Sequence, residues 1–334
     1  MFQRILVPLD GSERAERAIA VAARIARATR GSIVLLQVVE PVTEYNLRAA
    51  QQIIVAPKER EVLLRQATDY LTSVEQKDEL EGIGIQTKVL EGAVAPMLCA
   101  FAQSSAADLI VMCSHGYTGL KRWLLGSVAD VVSRSALVPI LILREGGLLP
   151  TDNLQKGHTP RALVTVDGSP LSEAALEPAA YLIAALSTPA KGTLHLLRVV
   201  DFPVTYGHAK SQSNLSMEMI EQAKQTAEVY LTSLMEQLQK GSAAHLNLSL
   251  TASAVSSGDV AGAIIETSES PEDGYVMVAM STHGRSGWER WVIGSVTARV
   301  LHHTKLPLLI IRPQQTVRKN MERIENVFNT GQER

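Results

Sequence analysis

The sequence predicts an α/β protein of two tandem domains, each a doubly wound parallel sheet of five strands. Three observations carry this. First, "CSHGYTGLKRWLLGSV" (113–128) returns as "STHGRSGWERWVIGSV" (281–296). The match runs without a gap over 113–144 and 281–312, with 13 of 32 positions identical. Second, "RILVPLDGSERAERAI" (4–19) pairs with "RALVTVDGSPLSEAAL" (161–176) in the same order along the chain. The offset grows from 157 to 168 between these anchors, so about eleven residues are inserted in the second copy. Third, short apolar runs rich in β-branched residues alternate with helical stretches, the pattern of βαβ units covered on both faces.

The elements follow in order. "RILVPL" is a buried strand that "DGS" breaks. Ser12 caps the next helix, where Ala15, Ala18, Ile19, Ala22, Ile25, Ala26 and Thr29 recur on one face. "SIVLLQVVE" (32–40) is the second strand. A helix around 58–80 aligns Leu63, Ala67, Tyr70, Leu71 and Val74. "IQTKVLEG" alternates like an edge strand, and a short helix covers 94–104. The strand "DLIVMC" (108–113), the motif loop, a helix from about 127 and the strand "PILIL" (139–143) complete the first half. The second half repeats this with "ALVTV", "TLHLLRVV", a helix around 216–239, "LNLSLTAS", a helix near 259–268, "YVMVAM", the loop and "PLLII". The domains are 1–146 and 159–314, joined by a Gly- and Pro-containing linker (147–158). A tail (315–334) carries Val317, Met321, Ile324 and Phe328 on one helical stripe, suited to docking on a domain or a partner or to a frayed end.

Bulk composition narrows the function. Apolar residues are 46% but aromatics only 4%, so the cores are aliphatic. A net charge of −2 without charge blocks gives no basic face for nucleic acid. Cys99 and Cys113 make no disulfide framework and no zinc spacing. No leader pattern opens the chain and no run reaches a membrane-spanning length, so a cytoplasmic protein without a membrane partner is expected.

The repeated anchors fall where ligands bind in open parallel sheets, beyond the carboxyl ends of the strands. Asp10 and Asp167 follow the first strand of each half, placed to accept hydrogen bonds from a ribose or base. Gly126-Ser127 and Gly294-Ser295 open a helix, whose free N–H groups, close-approaching glycine and added hydroxyl suit phosphate. A single such loop reads most simply as a tight connection; its duplication with the Asp favours a site. Neither a Walker A loop nor a GxGxxG fingerprint is present.

"ILVPLDGS" with "LIVMCSHGYTGLKRWLLGSV", and "ALVTVDGS" with "VMVAMSTHGRSGWERWVIGSV", resemble the universal stress protein family over most of residues 1–313. The resemblance implies the adenine nucleotide alpha hydrolase-like fold with strand order 3-2-1-4-5, pairing of the two domains within the chain, and a homodimer as a further option. It implies ATP or AMP as ligand, with or without Mg2+, and a role in the stress response. By the same resemblance, Pro8, Asp10, Val38, Met112, Cys113, Gly116, Gly126, Ser127 and Val128 line a first site. Thr165, Asp167, Val199, Met280, Ser281, Gly284, Gly294, Ser295 and Val296 line a second, with Val38 and Val199 against adenine. Nucleotide-binding members carry Gly, two residues, Gly, nine residues, Gly, then Ser or Thr. Here the first glycine is replaced by Cys113 in one half and Ser281 in the other.

The remaining candidates read more plainly as structure. His115 and His283 have no acidic partner or nucleophile beside them in sequence. Arg122 and Arg290 suit a phosphate or an ion pair equally. Trp123 and Trp291 suit packing or a pairing surface, Cys99 the core, and His302-His303 the surface. Cys113 is a candidate thiol, more simply a buried small residue. Three functions follow: a nucleotide-binding stress sensor or regulator, an interaction module of the same fold without ligand, and a weak ATPase. An enzyme of the hydrolase class would need a pyrophosphate loop such as SGGxDS, where "PLDGSERA" and "TVDGSPLS" stand; no enzyme is expected. With Ser281 small and Arg285 nearby, the second half is expected to be the better site.

Overall fold

A computed structural model describes residues 1–40, 43–46, 51–54, 57–114, 125–144, 159–202, 210–241, 243–284 and 293–313. The chain divides into two units, Met1–Thr151 and Asp152–Arg334, taken in turn. The predicted linker and tail lie outside the described residues.

In the first unit β1 (Arg4–Pro8) buries Ile5, Leu6 and Val7 completely. Such a run fits only a strand covered on both faces. α1 (Glu13–Thr29) starts where Ser12 Oγ accepts the Ala15 N–H at 3.2 Å, and it buries the predicted alanines with Ile19 and Ile25. β2 (Ser32–Val39) pairs parallel with β1, Leu36 opposite Pro8. Then come the short hairpin strands β3 (Thr43–Asn46) and β4 (Gln51–Ile54), α2 (Pro57–Glu75) and β5 (Gly84–Glu91). After these run α3 (Val94–Ser104), β6 (Leu109–Cys113), α4 (Ser127–Ser135) and β7 (Ile140–Leu143). The pairings give the order β5-β2-β1-β6-β7, all parallel. Asp108, just before β6, ties that strand to the start of β1. Its carboxylate accepts the backbone N–H groups of Gln3 at 2.7 Å and Arg4 at 3.0 Å.

The second unit repeats the plan. β8 (Arg161–Thr165) is followed by a helix in two pieces, α5 (Pro170–Glu173) and α6 (Leu176–Ser187). The single helix of the first unit cannot form here. Pro178 has no N–H to give the carbonyl of Ala174, so it is accommodated only in the first turn of a new helix. β9 (Gly192–Asp201), α7 (Lys210–Lys240) and β10 (Leu248–Ser257) follow. α8 (Val260–Ser268), β11 (Tyr275–Ser281), α9 (Ser295–His303) and β12 (Leu308–Ile311) close the unit. The order is β10-β9-β8-β11-β12, again parallel throughout. Each unit thus has the 3-2-1-4-5 order.

The differences from the sequence reading are local. The hairpin β3–β4 falls in a stretch with no predicted element, and α2 stops at Glu75 before a separate 3-10 turn, Asp78–Leu80. α7 begins earlier than expected, at Lys210. Cys99 is half-buried rather than in the core, because α3 turns Ala95, Leu98 and Ala102 inward and leaves Cys99 at the flank. Among the described residues no helix is long and apolar enough to cross a membrane.

Candidate functional site

The second-unit site begins at the end of β8. Thr165 ends the strand, and the Val166 N–H still reaches the carbonyl of Leu197 on β9 at 3.0 Å. The chain must then turn sharply. Gly168 takes φ +87°, which a side chain would oppose. Asp167 fastens the turn: its Oδ1 accepts the Ser169 N–H at 2.9 Å and the Ser169 hydroxyl at 2.6 Å. Ser169 Oγ in turn accepts the Ser172 N–H at 3.2 Å and caps α5. The first unit repeats this arrangement. Gly11 has φ +83°, and Asp10 Oδ1 accepts the Ser12 N–H at 3.0 Å and the Ser12 hydroxyl at 2.6 Å.

With Oδ1 committed to the turn, the other side of the Asp167 carboxylate lies against Gly284. A Cβ on Gly284 would come within 3.1 Å of the Asp167 carboxyl carbon and closer still to Oδ2, so only glycine fits. The two ends of the site, after β8 and after β11, are packed directly on each other.

β11 delivers the second wall. Ser281 is its last residue, and its hydroxyl accepts the His283 N–H at 3.3 Å. The carbonyl of Ser281 accepts the hydroxyl of Thr297 at 2.9 Å, which ties the strand end to the first turn of α9. Buried His283 shares a 2.8 Å hydrogen bond between Nδ1 and Thr282 Oγ1. The chain returns at Gly294, whose N–H donates to the carbonyl of Thr282 at 2.7 Å; a Cβ there would lie 3.2 Å from that oxygen. Gly294 is also the N-cap of α9 and brings no side-chain cap. A helix start of this kind presents its first N–H groups and its positive dipole end to whatever lies in front.

In front lies a cavity of about 620 Å³. Its lining includes Thr165, Asp167, Val199, Met280, Ser281, Gly284, Gly294, Ser295 and Val296, all nine residues singled out for the second half. It also includes residues that the sequence did not single out: Arg198 of β9, Ala223 and Thr226 of α7, and Val260 and Ile264 of α8. The Arg198 guanidinium sits 5.0 Å over the ring of Tyr230, whose hydroxyl donates to Glu173 at 2.7 Å. Burial, then the bond to Glu173, raises the Tyr230 phenol well above its ordinary range, so it stays a donor. The charges of Asp167 and Arg198 act on it in opposite directions. The signal for this support was in the repeat, since Tyr70 and Glu16 of the first unit form the same bond at 2.9 Å.

In the first unit, Pro8 and Asp10 follow β1, Val38 lies near the end of β2, Met112 and Cys113 end β6, and Gly126 to Val128 open α4. All sit at the carboxyl edge of that sheet. Gly126 is an N-cap without a side-chain cap, and its N–H donates to the carbonyl of Ser114 at 2.7 Å, as in the second unit. Asp10 and Ser127 are exposed, and Cys113 is half-buried. Gly116, His115, Arg122, Trp123, Arg285, Arg290 and Trp291 lie outside the described residues. Among the described residues no group of three or more His, Cys, Asp or Glu is arranged to hold a metal.

The model of the universal stress protein family matches residues 1–144 and again 159–312. A universal stress protein of Methanocaldococcus jannaschii is 33% identical over 147 residues, 43% of this chain and 84% of that protein. One of Mycolicibacterium smegmatis is 25% identical over 315 residues, 93% of this chain and 97% of that protein. The solved structure of a universal stress protein from Archaeoglobus fulgidus superposes with a TM-score of 0.62 at 18% identity, covering 93% of this chain and 99% of that one. The last is a likeness of fold.

Proposed function

The chain belongs to the universal stress protein family, as two tandem domains, and we propose that it binds an adenine nucleotide, ATP or AMP, in the second-half cavity. In this reading it acts as a sensor or regulator in the stress response and not as an enzyme. One observation supports the reading above the rest. The cavity is walled on one side by an uncapped helix start at Gly294 and on another by the Asp167 carboxylate locked against Gly284. The helix start suits a phosphate chain. Asp167 accepts from a ribose hydroxyl or an exocyclic amine, and Val199 and Met280 supply apolar contact for a base.

Ligand binding would shift the balance between packing states or partners. The reading asks for binding alone. Thermal melting with and without ATP, ADP and AMP tests it. A ligand at about 100 times its Kd adds roughly 2.7 kcal/mol to the bound state, a clear rise in melting temperature.

A second reading, an interaction module without ligand, draws on one specific feature. By the resemblance, the first glycine of the nucleotide-binding pattern is Cys113 in one half and Ser281 in the other, and each carries a side chain where that pattern has none. An unmoved melting curve with every nucleotide would select it.

A further inference from the structure

The cavity is wider than the motif that defines the family. Successive residues of a strand face opposite sides of the sheet, so Val199 and Arg198 at the end of β9 point apart. Both line the cavity, together with Val260 and Ile264 from α8 and Ala223 and Thr226 from α7. The cavity therefore wraps the carboxyl end of β9. Gly294 at the start of α9 lines it as well, and Arg198 lies over the ring of Tyr230, one turn along α7 from Thr226.

We infer that Arg198 makes this site prefer a nucleotide that carries a second phosphate on its ribose. The inference rests on the nucleotide reading above. Adenine is uncharged, and the 5′-phosphate chain is drawn to α9. A ribose hydroxyl is then the place where the nucleoside end of the ligand can carry another anion. Arg198 is built to meet one. Its planar fork matches phosphate oxygens two at a time. Stacking 5.0 Å over Tyr230 holds it, and the bond from Tyr230 to Glu173 holds the ring. Little side-chain freedom is left to lose on binding. The first half lacks the device. Leu36 and Leu197 occupy matching places opposite Pro8 and Thr165, and the next residue is Gln37 in one half and Arg198 in the other.

The test is titration calorimetry of the full chain with AMP, adenosine 3′,5′-bisphosphate and adenosine 2′,5′-bisphosphate, on the wild type, Arg198→Gln and Arg198→Lys. Arg198→Gln installs the first half's residue, and melting of each unliganded variant checks its fold. One bisphosphate is expected to bind at least about tenfold tighter than AMP, the scale of a hydrogen-bonded charge pair. That ratio should fall to near one in Arg198→Gln and be kept in part by Arg198→Lys. The two bisphosphates tell which hydroxyl carries the group. AMP binding with a ratio near one in the wild type, or a ratio that survives Arg198→Gln, overturns the inference and leaves the nucleotide reading intact. Failure of AMP itself to bind removes the nucleotide reading and this inference with it.

Discussion

Gly284 packs its α-carbon against the carboxylate of Asp167, joining the loop after β11 to the turn after β8 in one contact. This decides which substitution probes the site most directly. In Gly284→Ala the added methyl meets the Asp167 carboxyl, which cannot rotate away without breaking its bonds to Ser169. The expected cost is about 1–3 kcal/mol of stability, the usual range for overpacking. Nucleotide-dependent stabilisation should fall with it, because the carboxylate no longer sits where ribose or base would find it. Melting curves of the variant with and without AMP read both effects. A full nucleotide shift in Gly284→Ala would show that the position of Asp167 does not matter for binding.

The glycines at the two helix starts separate the halves. A side chain on Gly294 points at the carbonyl of Thr282, 3.2 Å from a Cβ. An aspartate there also places a negative charge where the phosphate chain is expected. Gly294→Asp should therefore abolish the nucleotide-induced rise in melting temperature, whereas Gly126→Asp should remove less of it. Equal losses would sink the assignment of the better site to the second half.

Much of this geometry was legible in the sequence because it is written twice. Asp167, Gly284 and the Gly294-Ser295 pair each have a partner in the first half, and a parallel sheet sends all of them to one edge. What stayed hidden needed tertiary information. Arg198 reads as an ordinary strand residue until α7 is seen to bring Tyr230 beneath it. The break between α5 and α6 was written in Pro178, but the first half suggested one unbroken helix there. The β3–β4 hairpin has strands of four residues and no Asn-Gly or Asp-Gly turn to announce it.

The repeated tyrosine–glutamate bond gives a paired prediction. Tyr230→Phe keeps the ring under Arg198 but takes the donor from Glu173, leaving a half-buried carboxylate short of a partner. A loss of about 1–3 kcal/mol is expected. Tyr70→Phe should cost less, because Glu16 also pairs with Lys77. Denaturant melts of the two variants compare them directly. A larger loss for Tyr70→Phe would mean that the Lys77 pair does not compensate.

His195 is expected to make the second unit sensitive to acid. Its ring sits between β8 and β10, with Nδ1 2.8 Å from Thr251 Oγ1 and Nε2 2.9 Å from Ser253 Oγ. Tyr275 lies edge-on to it at 5.8 Å between ring centres. Burial, first, and then the Arg161 charge lower its pKa, while Asp273 pulls weakly the other way. The folded unit thus prefers the neutral ring, and the unfolded chain takes up the proton more readily. Stability from this group is whole above the ordinary histidine value of about 6.5 and drains as pH falls through it toward the lower folded value. His195→Gln keeps a polar group between the two hydroxyls and cannot be protonated. Between pH 7.5 and pH 5 the wild type should lose more melting temperature than this variant. Parallel pH profiles would show that the proton is taken up elsewhere in the chain.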